Sequence, residues 1–190
     1  MKILPQAIPE IKLIVPHIFR DDRGFFIETY NRSTLREIAG IRADFVQDNH
    51  SRSEQAGVVR GLHFQIEPYA QDKLVRVVRG SICDVAVDIR FGSPSYGHHV
   101  LVVLSAENQA QLWVPKGFAH GFCTLEPGTE VIYKVTAHYD RACDKGLAWD
   151  DPDLKIDWPI AAPAALLSDK DRTYPKLRDL PVYFHYDGAA

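Results

Sequence analysis

Short runs of β-branched and aromatic residues, cut repeatedly by Gly and Pro, dominate this chain. The runs are Ile11–Val15, Phe25–Thr29, Gly57–Gln65, Lys73–Val78, Ile82–Asp88, His98–Leu104, Gln111–Val114, His120–Thr124 and Thr129–Thr136. Many are rich in Val, Ile, Phe and Tyr and alternate or run apolar over a strand's length, which predicts strands rather than helices. Arg79-Gly80, Gly92-Ser93-Pro94, Lys116-Gly117 and Pro127-Gly128 punctuate them as turns. Strands at this spacing, without helical segments between them, predict a sandwich or barrel and not a βαβ sheet. Helices are few. Thr34 and Glu37 form a capping box ahead of a short helix ending at Gly40, and Pro163–Asp171 is a second helix candidate. With 190 residues, the chain is expected to form one domain over 1–190. The Pro- and Asp-rich stretch 150–163 opens a tail, about 150–190, that wraps the barrel.

Charge and composition exclude several roles. The chain has 22 Lys+Arg against 25 Asp+Glu, a net charge of −3, so no global basic field attracts nucleic acid or an acidic membrane. No apolar run approaches the roughly 18 residues of a membrane span. The N-terminal MKILPQAIPE lacks a signal peptide's apolar stretch. The cysteines Cys83, Cys123 and Cys143 show no CxxC spacing, which suits a reducing compartment. The expectation is a cytoplasmic, soluble protein. Neither a GxGxxG nor a GxxxxGK[ST] loop occurs, so no nucleotide cradle of those kinds is expected.

Eight histidines invite a metal-site reading, and spacing argues against it. His63 and Gln65 lie two apart on one predicted strand and face one side of the sheet. Arg60 falls on the other parity unless Gly61 marks a bulge. Pro115-Lys116-Gly117-Phe118-Ala119-His120 is a turn feeding His120 into a strand. These two stretches resemble the cupin barrels: Gly57, five residues, His63-x-Gln65, then Lys73, six residues and Gly80, followed by PxGxxH. A metal cupin supplies His, His, Glu and His, where this chain has His63, Gln65, Lys73 and His120. Gln is a poor transition-metal ligand beside imidazoles, and lysine carries a positive charge and no acceptor. The replacement predicts metal-free chemistry on a group that becomes negative. Tyr133 shares parity with Val131 and Val135 and so points either into the core or into a site. Asp169 or Asp171 is a candidate for orienting a histidine, as carboxylates do for catalytic imidazoles. His17, His50, His98, His99, His138 and His185 match no ligand pattern.

In their order, DDRGFFIETYN (21–31), FVQDNHSRS (45–53), VVRGLHFQ (58–65), QDKLVRVVRGSICDVAVDIR (71–90), LSAENQAQLWVPKGFAHGF (104–122), EVIYKVT (130–136), GLAWDDPDLKIDWP (146–159) and LSDKD (167–171) closely resemble the dTDP-4-dehydrorhamnose 3,5-epimerase family. The resemblance implies a mainly β, double-stranded β-helix (cupin, jelly-roll) fold and a cofactor-independent isomerase. It implies a dTDP-4-keto-6-deoxy sugar nucleotide as substrate, epimerised at C3 and C5, with a single-carbon epimerase as the alternative. On the matching positions His63 becomes the base, Asp171 its partner, Tyr133 the acid on the opposite face and Lys73 the cation near the keto oxygen. His120 lines the same site, and Arg60 and the partner subunit's Arg23 are expected at the diphosphate. Gln47, Asn49 and Glu28 match nucleotide-binding positions, and Phe19 and Tyr139 are thymine-stacking candidates. The resemblance also implies a homodimer, with N-terminal strands (about 1–50) contributing to it and a site that borrows Arg23 and Glu28 from the second copy. The loop at 137–145 departs from the family pattern at His138 and Cys143. The competing readings are a metal-dependent cupin and a non-catalytic sugar-nucleotide binding module.

Overall fold

The computed structural model describes residues 1–188. Its strands are β1 (Lys2–Leu4), β2 (Lys12–Val15), β3 (Ile18–Asp21), β4 (Gly24–Ile27), β5 (Gln47–Ser53), β6 (Val59–Gln65), β7 (Lys73–Arg79) and β8 (Ser81–Asp88). They continue with β9 (Arg90–Phe91), β10 (His99–Ser105), β11 (Gln111–Val114), β12 (Phe118–Thr124), β13 (Thr129–Val135), β14 (Asp144–Gly146) and β15 (Phe184–His185). A helix, α1 (Arg32–Ala39), joins β4 to β5. One sheet runs β1-β2-β11-β7-β13-β5, the other β10-β8-β12-β6-β14, and all pairs within them are antiparallel. This is the cupin jelly roll.

Among the described residues there are three cores, one of which packs Leu35 and Ala39 of α1 against Ile14, Leu74 and Trp113. Val75, Val77, Ile82, Ala86, Leu112, Phe118, Phe122 and Val131 point between the sheets. Val59, Leu62, Phe64, Cys83, Val85 and Val87 point outward from the second sheet. There they meet the tail, through Trp149, Leu154, Ile156, Trp158 and Ile160. With both faces covered, every residue of β8 is buried. Each fully buried Leu, Ile or Val contributes roughly 1.5–3 kcal/mol, so the tail stabilises the fold as a structural layer.

Three local outcomes differ from the sequence reading. The helix ends at Gly40 as expected, with Gly40 left-handed at φ 68, but its N-cap is Asn31, whose Oδ1 accepts from the Thr34 N–H at 3.1 Å. Pro163–Asp171 is not a helix: a 3-10 turn covers Ala162–Ala164, Leu166 bridges to Val58, and the chain turns at 169–172. The reason is pairing with β6's entrance, since Leu166 donates its N–H to Gly57 and its carbonyl accepts from Val59, both at 2.9 Å. The polar stretch Gln47–Ser53 is a strand, β5, at the sheet edge beside β13. It has no apolar face because neither of its faces meets the core. Asp48 reaches Lys134 and His50 reaches Glu130 on its outer side.

Candidate active site

The β6 backbone decides what the site contains. Opposite β12, His63 pairs with His120 and Arg60 with Phe122, so Gly61 and Leu62 face Gly121 alone. This bulge shifts the parity and brings Arg60 and His63 to the same cavity. Both glycines are needed. Gly61 sits at φ +136, and a Cβ there would lie 2.5 Å from the Gly121 Cα. One on Gly121 would lie 2.7 Å from the Arg60 carbonyl oxygen.

The cavity lies between the sheets at their β5–β14 end. Arg60, His63, Lys73, His120, Phe122 and Tyr133 line a chamber of about 230 Å³, with Ser51, Ser168, Lys170 and Asp171. A second lobe of about 370 Å³ shares His63, Lys73, Tyr133 and Lys170, and adds Gln47, Asn49, Gln65, Gln71, Tyr139 and Asp144. His63 and Tyr133 therefore face one space from opposite sheets.

On the β6 wall, His63 Nε2 is 2.5 Å from Asp171 Oδ1. Asp171 is only 4% exposed, and Ser168 Oγ accepts from its backbone N–H at 3.2 Å. Burial works to raise the Asp171 pKa, but the His63 hydrogen bond, the His63 and Lys170 charges and Ser168 outweigh it and hold the carboxyl below its ordinary value. The tail thus delivers an ionised partner that fixes the imidazole and leaves Nδ1 as its basic nitrogen.

On the facing sheet, Lys73 begins β7 and is 7% exposed, with Nζ donating to the His63 carbonyl at 3.1 Å. Burial pushes its pKa down to about 8, against the opposing pull of Asp84 and Asp144, while Lys170 lowers it further. Tyr133 packs against the inner core and keeps its hydroxyl protonated, because burial raises its pKa, with Asp144 adding to the rise and Arg60 opposing it. Arg60 is steered by Ser53 Oγ at 3.2 Å and the Arg52 carbonyl at 3.1 Å.

Gln65, at a position where a metal cupin carries a ligand, has its side chain fully engaged. Its Nε2 donates to the carbonyls of Tyr69 at 2.8 Å and His138 at 3.1 Å, and its Oε1 accepts from the Asp140 N–H at 2.7 Å. It clamps the 137–145 loop. That loop carries Tyr139, whose backbone N–H donates to Gln47 Oε1 at 3.1 Å and whose hydroxyl donates to Asp144 at 3.2 Å. Gln47 in turn donates to Asn49 at 2.8 Å.

Sequence reasoning missed four groups that the fold brings here. Asp84 is 0% exposed and takes His120 Nε2 at 2.8 Å. Its signal was a carboxylate inside the apolar run Ile82–Asp88. Lys170 and Asp144 pair with each other at the second lobe. Lys170 sits inside the quoted LSDKD motif, whereas nothing marked Asp144. Tyr174 packs edge-on to the His63 ring at 5.8 Å. Three predicted residues lie elsewhere within one chain. Phe19 and Arg23 belong to the β3–β4 hairpin, which has its own exposed concavity, and Arg23 is held by Asp21 at 2.5 Å. Glu28 follows the hairpin and accepts from Asn31 Nδ2 at 3.1 Å.

Residues 5–179 match the family model described as dTDP-4-dehydrorhamnose 3,5-epimerase. The chain belongs to that family. It is 54% identical to the dTDP-4-dehydrorhamnose 3,5-epimerase of Sinorhizobium fredii, over 95% of this chain and 91% of that one. It is 49% identical to the Shigella flexneri enzyme of the same name, over 96% and 99%. Its fold superposes with a TM-score of 0.93 on the Legionella pneumophila dTDP-6-deoxy-D-glucose-3,5-epimerase in complex with dTDP-4-keto-L-rhamnose, at 44% identity over 98% and 99% of the two chains. The chain is an isomerase of the dTDP-4-dehydrorhamnose 3,5-epimerase family. Among the described residues no helix is long and apolar enough to cross a membrane.

Proposed function

We propose that this epimerase-family chain inverts C3 and C5 of dTDP-4-dehydro-6-deoxy-D-glucose, giving dTDP-4-dehydro-L-rhamnose. One observation carries the reading: a His–Asp pair on one sheet and a protonated tyrosine on the other flank a single cavity, with a buried lysine between them. Inversion by proton transfer requires that geometry, because the proton must leave one face of the carbon and return to the other.

The C4 ketone acidifies the hydrogens on both neighbouring carbons. His63 Nδ1 takes the C3 or C5 proton while Asp171 holds the ring, an assistance worth roughly 10²–10⁴-fold. The electrons of the broken C–H bond form the enolate and place negative charge on the C4 oxygen. Lys73 stabilises that charge, a contribution of roughly 10²–10³-fold. Tyr133 then gives its proton to the opposite face, and the enolate collapses back to the ketone. His63 releases its proton and Tyr133 recovers one from solvent before the second carbon is processed.

The nucleotide occupies the second lobe, with Gln47, Asn49 and Tyr139 on its wall and Arg60 toward the diphosphate. The chain works as a cytoplasmic homodimer of single-domain subunits. The support is the β3–β4 hairpin, which exposes Phe19, Phe25 and Phe26 at 55%, 55% and 69%. A second copy would cover these rings and bring Arg23, Glu28 and Phe19 to its neighbour's cleft. The test is NMR of dTDP-4-dehydro-6-deoxy-D-glucose with the enzyme in D₂O. Deuterium at both C3 and C5 is expected, and deuterium at one carbon alone would reassign the chain to single-carbon epimerisation.

A further inference from the structure

We propose that Asp84 is a positioning residue of this site: its carboxylate fixes the His120 ring and supplies the buried negative charge that stands behind the Lys73 ammonium. The proposal rests on the epimerase reading and assigns a role to a residue which that mechanism leaves unused.

Asp84 lies in the middle of β8, among residues that are all buried. A carboxylate there costs heavily unless hydrogen bonds or charge compensate it. Its Oδ1 meets His120 Nε2, but its Oδ2 has no hydrogen-bond partner among the described residues. A half-satisfied carboxylate at 0% exposure needs a positive charge near it; it stands behind His120, and His120 and Lys73 line one cavity. Asp84 heads the influences that keep the lysine charged against its burial, ahead of Asp144 and opposed by Lys170.

The two do not form a direct ion pair. Lys73 gives one N–H to the His63 carbonyl, and Asp84 is tethered to His120. An ammonium has three donors, so two remain for a substrate oxygen. A direct contact with Asp84 would consume one of them and quench the charge that the enolate needs. The tether keeps the counter-charge close enough to hold the lysine protonated and far enough to leave it available. The same tether sets the orientation of His120 beside the reacting carbonyl. The titratable groups that share a cavity wall with Lys73 are His63 and Arg60 from β6, His120 from β12, Tyr133 from β13, Asp144 from β14, Tyr139 from the loop before it, and Lys170 and Asp171 from the tail, with Asp84 of β8 behind His120.

Asp84→Asn keeps the shape and an acceptor for His120 while removing the charge. The expected result is a kcat lower by about tenfold or more, a fraction of the cost of losing an oxyanion donor. The alkaline limb of kcat/KM should also move about one pH unit lower, because an opposite charge has left Lys73. An unmoved limb overturns the proposal, since a merely structural loss changes the amount of active enzyme and not its pH profile. The native enzyme is assayed alongside: if it exchanges neither C3 nor C5 hydrogen with D₂O, the epimerase reading fails instead. Where the variant does not fold, ¹⁵N NMR of the native protein decides. His120 protonated at Nε2 supports the proposal, and a ring carrying its proton on Nδ1 alone overturns it.

Discussion

Lys73 makes the site's chemistry dependent on pH in a predictable direction. Its ammonium is 7% exposed, and burial lowers its pKa from 10.5 to about 8. That displacement corresponds to about 3 kcal/mol spent on holding a cation in the cleft, at roughly 1.4 kcal/mol per pH unit. The sign for folding follows from proton linkage. Below pH 8 both the native and unfolded chains carry the charge, and the native state bears the full cost. As pH rises from 8 toward 10.5 the native chain loses its proton first and the cost is relieved. Activity moves the other way. Above pH 8 the enolate oxygen loses its cation, so kcat/KM should fall tenfold per pH unit toward a floor roughly 10²–10³-fold lower. Tyr133 does not confuse the limb, because its pKa lies above the ordinary tyrosine value of 10. Lys73→Met should sit near the floor already at pH 7 and show no limb near 8. The assay is initial-rate epimerisation of dTDP-4-dehydro-6-deoxy-D-glucose between pH 6 and 10. A flat native profile across that range, or a Met variant with native activity, would refute the reasoning.

Other perturbations follow from the same geometry. Asp171→Asn leaves the His63 ring without its ionised partner and should lower kcat by roughly 10²–10⁴-fold with little change in thermal stability; steady-state kinetics beside a melting curve checks this. Gly61→Ala forces a Cβ against the Gly121 backbone at a positive φ, so urea unfolding should show a loss of roughly 2–4 kcal/mol together with lost activity. Asp88 accepts from Arg90, Ser93 and Ser95 at 0% exposure, and Asp88→Ala should cost roughly 3–5 kcal/mol by removing the buried acceptor of all three and leaving the Arg90 guanidinium with Glu10 alone as its ion-pair partner. Although burial opposes it, those donors lower the Asp88 pKa below 3.8. Its contribution is therefore present above that value and lost as pH falls through the lower native one, which an acid titration of stability will show.

What the sequence revealed follows from periodicity and from motif order. Thr129–Val135 is visible because its alternation follows burial, and Ile82–Asp88 because a short, mostly apolar run suits a strand buried on both faces. β5 is invisible to that test, since one of its faces lines a polar cleft and the other meets water. Tyr133 was readable by parity with Val131 and Val135, but Arg60 was not: only the Gly61 bulge puts it beside His63. The Pro163–Asp171 segment has helical composition, yet backbone bonds from Leu166 to Gly57 and Val59 tie its middle to β6's entrance instead. Asp144 and Lys170 meet only through tertiary structure, Asp144 on β14 beside β6 and Lys170 on the tail, for which no local pattern exists. Asp84 shows the converse case. Its signal, a carboxylate in an apolar strand, was present in the sequence but passed over, and its partner His120 on the neighbouring strand β12 comes from sheet pairing alone.

The central claim is that acid and base act from opposite walls, and hydrogen exchange with D₂O in single variants tests it most directly. His63→Asn should abolish deuterium uptake at C3 and C5, because no base remains to form the enolate. Tyr133→Phe should retain exchange at one or both carbons while failing to invert them, because the enolate forms but is not reprotonated from the far face. Native exchange at both carbons in His63→Asn, or normal inversion in Tyr133→Phe, would contradict the account.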